Sequence, residues 1–174
     1  MPSNISDQST STPTDSPISD IASILGKIPA GVYVLTAYHE TRRLGMLTSW
    51  VQQVCFQPPM ISVAIAKGRP IMPLISESRR FALCQLSPDD KLIRRKFSAP
   101  GDLSDDPFLG YDVIHGNSPS IPILAAALNF MECEVACHMD VDGDHDIFIA
   151  KVTNAKILNT GSPEIHLRDD GFKY

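Results

Sequence analysis

Three polar groupings in this chain have residue types suited to chemistry. The first is Thr48-Ser49-Trp50, two hydroxyls and an indole inside an otherwise apolar run. Such hydroxyls can bind a ligand; the plainer reading is a pair satisfied by sheet backbone beside a buried Trp. The second is Lys67-Gly68-Arg69-Pro70, at a strand-to-helix junction. A helix N-terminus flanked by cations suits an anion such as phosphate. The plainer reading is two solvated cations on a turn. The third is Asp144-His145-Asp146, just past a hairpin turn. A histidine between carboxylates can orient or protonate a ligand, or it can simply be a surface group held by its neighbours. Arg94-Arg95-Lys96 is most simply solvated surface matched to a helix dipole.

Several other chemistries are excluded. No G-x-G-x-x-G, Walker loop, G-x-S-x-G or H-E-x-x-H occurs. Asp140-x-Asp142-Gly143-Asp144 has the acidity of a calcium loop, but Gly stands at the fourth position and Lys151 at the twelfth. Cys133 and Cys137 share one face of a strand while His138 points away, and no second ligand pair exists. No metal is expected. Cys55 and Cys84 lie in strand-like runs and read as small core hydrophobes.

The elements that must position these groups follow from 174 residues, 43% of them hydrophobic and 20% charged. That is the balance of one globular domain. A net charge of −5 argues against nucleic acid or an anionic membrane as partner. The longest apolar stretch, 121–128, is far below the ~20 residues of a membrane span. Four cysteines read as free thiols in a reducing cytoplasm. Residues 1–17, rich in Ser, Thr, Pro and Asp, read as a disordered tail that is neither secretory signal nor Arg-rich transit peptide. The folded domain is expected over 18–174.

Ser19 and Asp20 are expected to cap a short helix through Lys27, with Ile21, Ile24, Leu25 and Ile28 on one face. Strands are expected at 31–38, 44–55, 60–66 and 81–86, the first two as a hairpin. A helix over 71–80 places Ile71, Leu74, Ile75 and Ser78 on one side. Ser87 reads as the N-cap of a further helix, with Pro88 at its first position and Asp89 and Asp90 in its first turn. Residues 98–120 read as a long loop of the kind that often carries function. Residues 123–130 allow at most a turn or two of helix. In 132–142 the residues alternate, Cys133, Val135, Cys137, Met139 and Val141 against Glu132, Glu134, Ala136, His138 and Asp140. Asp142-Gly143 turns into a return strand at 146–152. The order is not βαβα, so a closed or half-closed antiparallel barrel is expected.

Taken together and in order, GVYVLTA, GMLTSWVQQVCFQPPMISVAIAKGRPI, FALCQL, PILAAALNFMECEV, DGDHDIFIAKV and HLRDDGFKY resemble the flavin reductase-like family with the FMN-binding split barrel. The resemblance runs from about Pro29 to Tyr174. The phrases SWVQQ, FQPP and AIAKGRP look most like the reductase module at the C-terminus of flavodiiron proteins, here expected to stand alone. The resemblance implies a mostly β, antiparallel split barrel with short helices, a homodimer, and FMN (or FAD) bound near the subunit interface. It implies hydride transfer from NADH or NADPH to the flavin. Reduced flavin or electrons would then pass to a partner oxygenase or another acceptor.

Carried over by position, Met46, Leu47, Thr48, Ser49 and Trp50 match the segment that cradles the isoalloxazine and ribityl chain. Lys67, Arg69 and Pro70 match the turn near the flavin phosphate, and Cys84, Gln85 and Leu86 the strand that lines the flavin. Arg94, Lys96 and Phe97 fall where further cofactor contacts are placed. His145 matches the motif histidine near nicotinamide and flavin, the one catalytic assignment. His166, Arg168 and Tyr174 match a closing tail. Two departures stand out: Pro70 where many members have a hydroxyl, and Cys84 where Asn is frequent. Two other readings remain open at this point, an FMN-binding electron carrier that no nicotinamide reduces, and a split-barrel binding module without catalysis.

Overall fold

The computed structural model describes residues 17–99, 106–118 and 120–173. The chain divides into two compact units, one spanning Ala30–His166 and one joining the residues before Ala30 to Leu167–Tyr174.

In the described part of the smaller unit, α1 (Pro17–Gly26) starts earlier and stops one residue sooner than the expected helix. Two backbone bonds attach the C-terminal segment to it, Arg168 N–H to Gly26 O at 2.9 Å and Gly171 N–H to Ala22 O at 2.7 Å. Gly171 is required there: a Cβ would run into the Ala22 carbonyl and the Leu25 side chain. Ile21, Ile24, Leu25 and Ile28, expected on one face of the helix, are exposed.

In the larger unit the order is β1 (Ala30–Gly31), β2 (Tyr33–His39), β3 (Arg42–Thr48), β4 (Val51–Cys55), β5 (Met60–Ala66), α2 (Ile71–Ser78) and β6 (Arg80–Gln85). Then follow α3 (Lys91–Ser98), β7 (Val113–Ile114), β8 (Ile123–Leu124), β9 (Asn129–Asp140), β10 (His145–Ile157) and β11 (Ile165–His166). Seven strands form one antiparallel sheet in the order β3-β2-β6-β9-β10-β5-β4. Its two edges, β3 and β4, are consecutive in the chain, so the sheet curls into a barrel that is split between them. β1 pairs with β11 and β7 with β8 in two small ribbons.

Four expectations need correction. The single strand over 44–55 is two strands on opposite edges of the sheet, and Ser49-Trp50 is the crossing between them. Composition could not show this, because both halves are equally strand-like. Second, the alternation along β9 changes phase. The register steps from Val135 opposite Ala150 to Cys137 opposite Ile149, leaving Ala136 as the extra residue of a bulge. Beyond it His138 and Asp140 lie opposite Phe148 and Asp146, on the face that carries buried Ala150. Cys137 and Met139 are exposed instead. Third, Ser87 does not cap α3. Its N–H and Oγ–H donate to the Asp90 carboxylate at 2.7 and 2.9 Å, forming a turn, and the helix begins only at Lys91. Fourth, residues 123–130 hold no helix: Ile123-Leu124 pairs with Val113-Ile114, and β9 begins at Asn129.

Two apolar cores lie on the two faces of the sheet. Inside the barrel, Leu35, Val63, Ile65, Phe81, Leu83 and Phe148 pack with Ile71, Leu74 and Ile75 of α2, the side its spacing predicts. Outside, Val34, Cys84, Leu86 and Phe130 are covered by Ile93 and Phe97 of α3, by Phe108, and by Ile121 to Leu124. Thus part of the long loop, 106–118, is structural cover. Its Gly116 to Ser118 end is anchored on buried Glu132, whose carboxylate accepts the Asn117 and Ser118 N–H groups, each at 2.8 Å. The remainder of the expected loop, 100–105 and Pro119, lies outside the described residues, as do residues 1–16 of the expected tail.

Candidate functional site

Alternation along β3 decides what its residues offer. Leu44 and Met46 pack on the inner core, Leu47 on the outer one. Gly45 is held against α3: a Cβ there would meet the Phe97 ring at 2.6 Å. Thr48 and Ser49 come next and are only 6% and 7% exposed. Neither hydroxyl makes a hydrogen bond to another described residue. No sheet backbone of the described residues accepts from or donates to this pair of hydroxyls. Neither oxygen is among the buried polar atoms left without a partner, so each keeps some exposure through which a ligand or water can reach it.

Trp50 closes the crossing. Its carbonyl accepts the Ala64 N–H at 3.1 Å. Its ring centroid lies 4.6 Å from that of His145, tilted by 40°. His145 opens β10 opposite Ala66. Its Nδ1 is 2.7 Å from Asp144 Oδ1, and its side chain is 12% exposed. That contact, first through its hydrogen bond and then through charge, holds the Asp144 carboxyl below its ordinary range.

The turn from β5 to α2 separates its two cations. Lys67 Nζ is 2.6 Å from Asp140 Oδ1 and 2.8 Å from the Val141 carbonyl, with Asp146 Oδ1 at 3.7 Å. The hydrogen bond to Asp140 is the main reason the Lys67 ammonium is held above its usual range and the Asp140 carboxyl below it. Arg69 is half-buried, and its guanidinium has no partner among the described residues. Gly68 between them has φ +79°, and no atom lies within 4 Å of where its Cβ would be. The turn thus needs glycine for its backbone and leaves open space over it. Arg69 and Pro70 line one narrow cleft with Leu44, Gly45 and Met46. No side chain caps the α2 N-terminus.

The other sequence-predicted residues are distributed as follows. Cys84 and Leu86 are fully buried in the outer core. Burial pushes the Cys84 thiol up to about 12, against a weaker pull from the Leu124 backbone. Their strand offers a ligand only its backbone and Gln85. Gln85 lies in a polar row across the barrel end, donating to the Tyr33 hydroxyl at 3.2 Å and accepting from Asn129 at 2.7 Å. Arg94 is tied to Glu164 by an ion pair, Lys96 is exposed, and Phe97 is buried against Phe108 and Tyr111. His166 pairs with Ala30 and is half-buried. Arg168 donates to the Gly171 and Leu25 carbonyls of its own unit at 3.0 and 3.4 Å. Tyr174 lies outside the described residues.

The structure therefore brings Met46 to Arg69 and Pro70, and Trp50 to His145. It leaves Arg94 occupied elsewhere. Sequence reasoning missed Tyr33, Asn129 and His138 as neighbours of these groups. The Asp-His-Asp triplet signalled Asp146, but the bulge that delivers His138 had no sequence signature. Among the described residues no cluster of His, Cys, Asp and Glu could hold a metal ion, and no helix is long and apolar enough to cross a membrane. A flavin mononucleotide presents an apolar ring system, a polar ring edge, a polyhydroxyl chain and a phosphate. Unpartnered hydroxyls, an open glycine turn and an unpaired arginine fit those groups.

Comparison with known proteins agrees with this fit. The family model for the flavin reductase like domain matches residues 25–173. Diflavin flavoprotein A 1 of Synechocystis sp. is 35% identical over 158 residues, which is 90% of this chain. The chain spans only 27% of that relative's length. Among solved structures, the NADH:FAD oxidoreductase of Streptomyces globisporus shares the fold with a TM-score of 0.78 at 22% identity, covering 96% of this chain and 95% of that one. The styrene monooxygenase flavin reductase of Pseudomonas putida has a TM-score of 0.72 at 25% identity, covering 83% of this chain and 90% of that one.

Proposed function

The chain belongs to the flavin reductase-like family, and on that premise we propose that it is an NAD(P)H:flavin oxidoreductase working with FMN. Bound flavin would supply the chemistry, accepting hydride from NADH or NADPH. The protein's task is to hold two rings at near-attack distance, ~3–3.5 Å, and to exclude water. Family membership across 25–173 carries this reading; the unpartnered hydroxyls of Thr48 and Ser49 support it.

In this reading the Met46–Trp50 segment cradles the ring and ribityl chain, with Thr48 and Ser49 as hydrogen-bonding groups. Arg69, helped by the uncapped α2 N-terminus, holds the phosphate and takes the role that Pro70 cannot fill. Lys67 contributes little there, because Asp140 already neutralises it. Gln85, oriented by Tyr33 and Asn129, offers its carboxamide at the barrel end; Cys84 and Leu86 serve through backbone. His145 orients the nicotinamide against the flavin and is not an obligatory acid. Lys96 and Phe97 remain assigned to the cofactor's outer surroundings. The working form is a cytoplasmic homodimer that hands reduced flavin or electrons to a partner oxygenase or another acceptor. FAD would serve by the same contacts.

A second reading, an FMN-binding electron carrier, draws on the relative named a diflavin flavoprotein, of which this chain spans about a quarter. One experiment separates the two. Purified protein with FMN is mixed anaerobically with NADH and then NADPH, and the flavin band near ~450 nm is followed. Bleaching at a catalytic rate is expected. Binding without bleaching would establish the carrier, and no binding would leave a split-barrel module without flavin chemistry.

A further inference from the structure

Asp140 and Asp146 stand directly opposite each other on β9 and β10. Like charges in that position repel and would push the two strands apart at the hairpin. Lys67 prevents this. Its ammonium touches Asp140, reaches toward Asp146 Oδ1, and donates to the carbonyl of Val141, the residue that begins the turn. Its backbone N–H donates to the Asp144 carbonyl at 2.9 Å on the far side of the same turn. One residue therefore grips both limbs of the hairpin. His138 completes the arrangement: its Nε2 is 2.8 Å from Asp146 Oδ2, and its ring stacks on buried Phe148 at 4.3 Å and 5°. The Ala136 bulge makes this possible, since it brings His138 and Asp140 onto the Asp146 face. The residue that the hairpin delivers is His145, against Trp50.

We propose that Lys67 is a positioning residue for His145: through Asp140, Val141 and Asp144 it fixes the 141–145 hairpin, and it does not bind the flavin phosphate. The proposal rests on the reading of His145 as the group beside nicotinamide and flavin. Its structural half stands without any flavin. His138 forms the back of the clamp and holds Asp146, the second carboxylate, in place.

Trp50 is the only tryptophan of the chain, so its emission reports the His145 contact directly. The flavin-free full chain is compared as wild type, Lys67→Met, Lys67→Arg and His145→Leu. Imidazole contact quenches indole emission, so His145→Leu defines the unquenched limit. Lys67→Met is expected to move at least half of the way to that limit, and Lys67→Arg, which keeps the two donations, to stay near wild type. With flavin and nicotinamide added, Lys67→Met should lose about tenfold in kcat while KM for FMN and for riboflavin each change by less than about twofold. Wild-type emission in Lys67→Met overturns the proposal. So does a rise in KM for FMN alone, because only FMN carries the phosphate. If Lys67→Met fails to fold by circular dichroism, Asp140→Asn, an exposed position, must show the same emission change, and wild-type emission there is equally fatal. An emission change in a protein that oxidises no NAD(P)H would leave the clamp standing and bring down the reductase reading instead.

Discussion

Two buried carboxylates of the same sheet are satisfied in opposite ways. Glu132, 2% exposed, accepts from the Asn117 and Ser118 N–H groups and from the Asn154 amide at 2.5 Å. Burial alone would push its carboxyl up, but these donors together hold it below the ordinary range. Asp146 is nearly as buried, yet its Oδ1 has no hydrogen bond and meets only the Lys67 ammonium at 3.7 Å. Its Oδ2 depends on the side chain of His138. Neutral donors, two of them backbone, fasten a covering loop permanently. Charged, half-exposed side chains hold a hairpin next to a site, where substitution acts first on geometry and only then on folding.

The largest effect is expected where satisfaction is complete. Glu132→Ala leaves three donors without their acceptor and should destabilise the fold by about 3 kcal/mol in urea unfolding. Glu132→Gln, which keeps one acceptor oxygen, should cost roughly half of that. A loss below about 0.5 kcal/mol for Glu132→Ala would erase the contrast, because that is the range of an ordinary surface change.

Arg69 and Lys67 repeat the contrast as cations, one without a partner among the described residues and one committed to Asp140. Arg69→Met should weaken FMN binding by about tenfold and leave riboflavin binding unchanged, as read by flavin fluorescence titration. Equal losses for both flavins would remove Arg69 from the phosphate.

Asp146→Asn should cost only about 1 kcal/mol in stability, since both of its partners are partly exposed. Its effect on turnover should be the larger one, measured as kcat at saturating flavin. The reverse order would make the hairpin carboxylate a plain structural group.

The smallest effect is in acid. Because the folded Glu132 carboxyl titrates below its unfolded counterpart, its stabilisation is present above the ordinary glutamate range. It is lost as pH falls through the folded value. Glu132→Gln should therefore flatten the acid limb of a stability-against-pH curve; an unchanged limb would locate acid sensitivity elsewhere.

Much of the barrel was legible because its strands are β-branched runs bounded by turn residues, and because Ile71, Leu74 and Ile75 keep helical spacing. Thr48, Ser49 and the Gly-Asp-His triplet were visible as polar groups in unusual places. Their partners were not. Whether a hydroxyl is satisfied, or which carboxylate a lysine meets, depends on residues many positions away.

By itself the sequence determined where most of the strands and helices lie, the family, and the identity of the polar groups that could do chemistry, because local propensity, periodicity and motif order are properties of neighbouring residues. Tertiary structure alone decided that residues 44–55 serve two edges of one sheet, that a bulge at Ala136 turns His138 and Asp140 toward Asp146, and that Lys67 pairs with Asp140 while Arg69 has no partner among the described residues. Those outcomes follow from register and from competition for charge between distant strands, and both are settled only when the sheet closes.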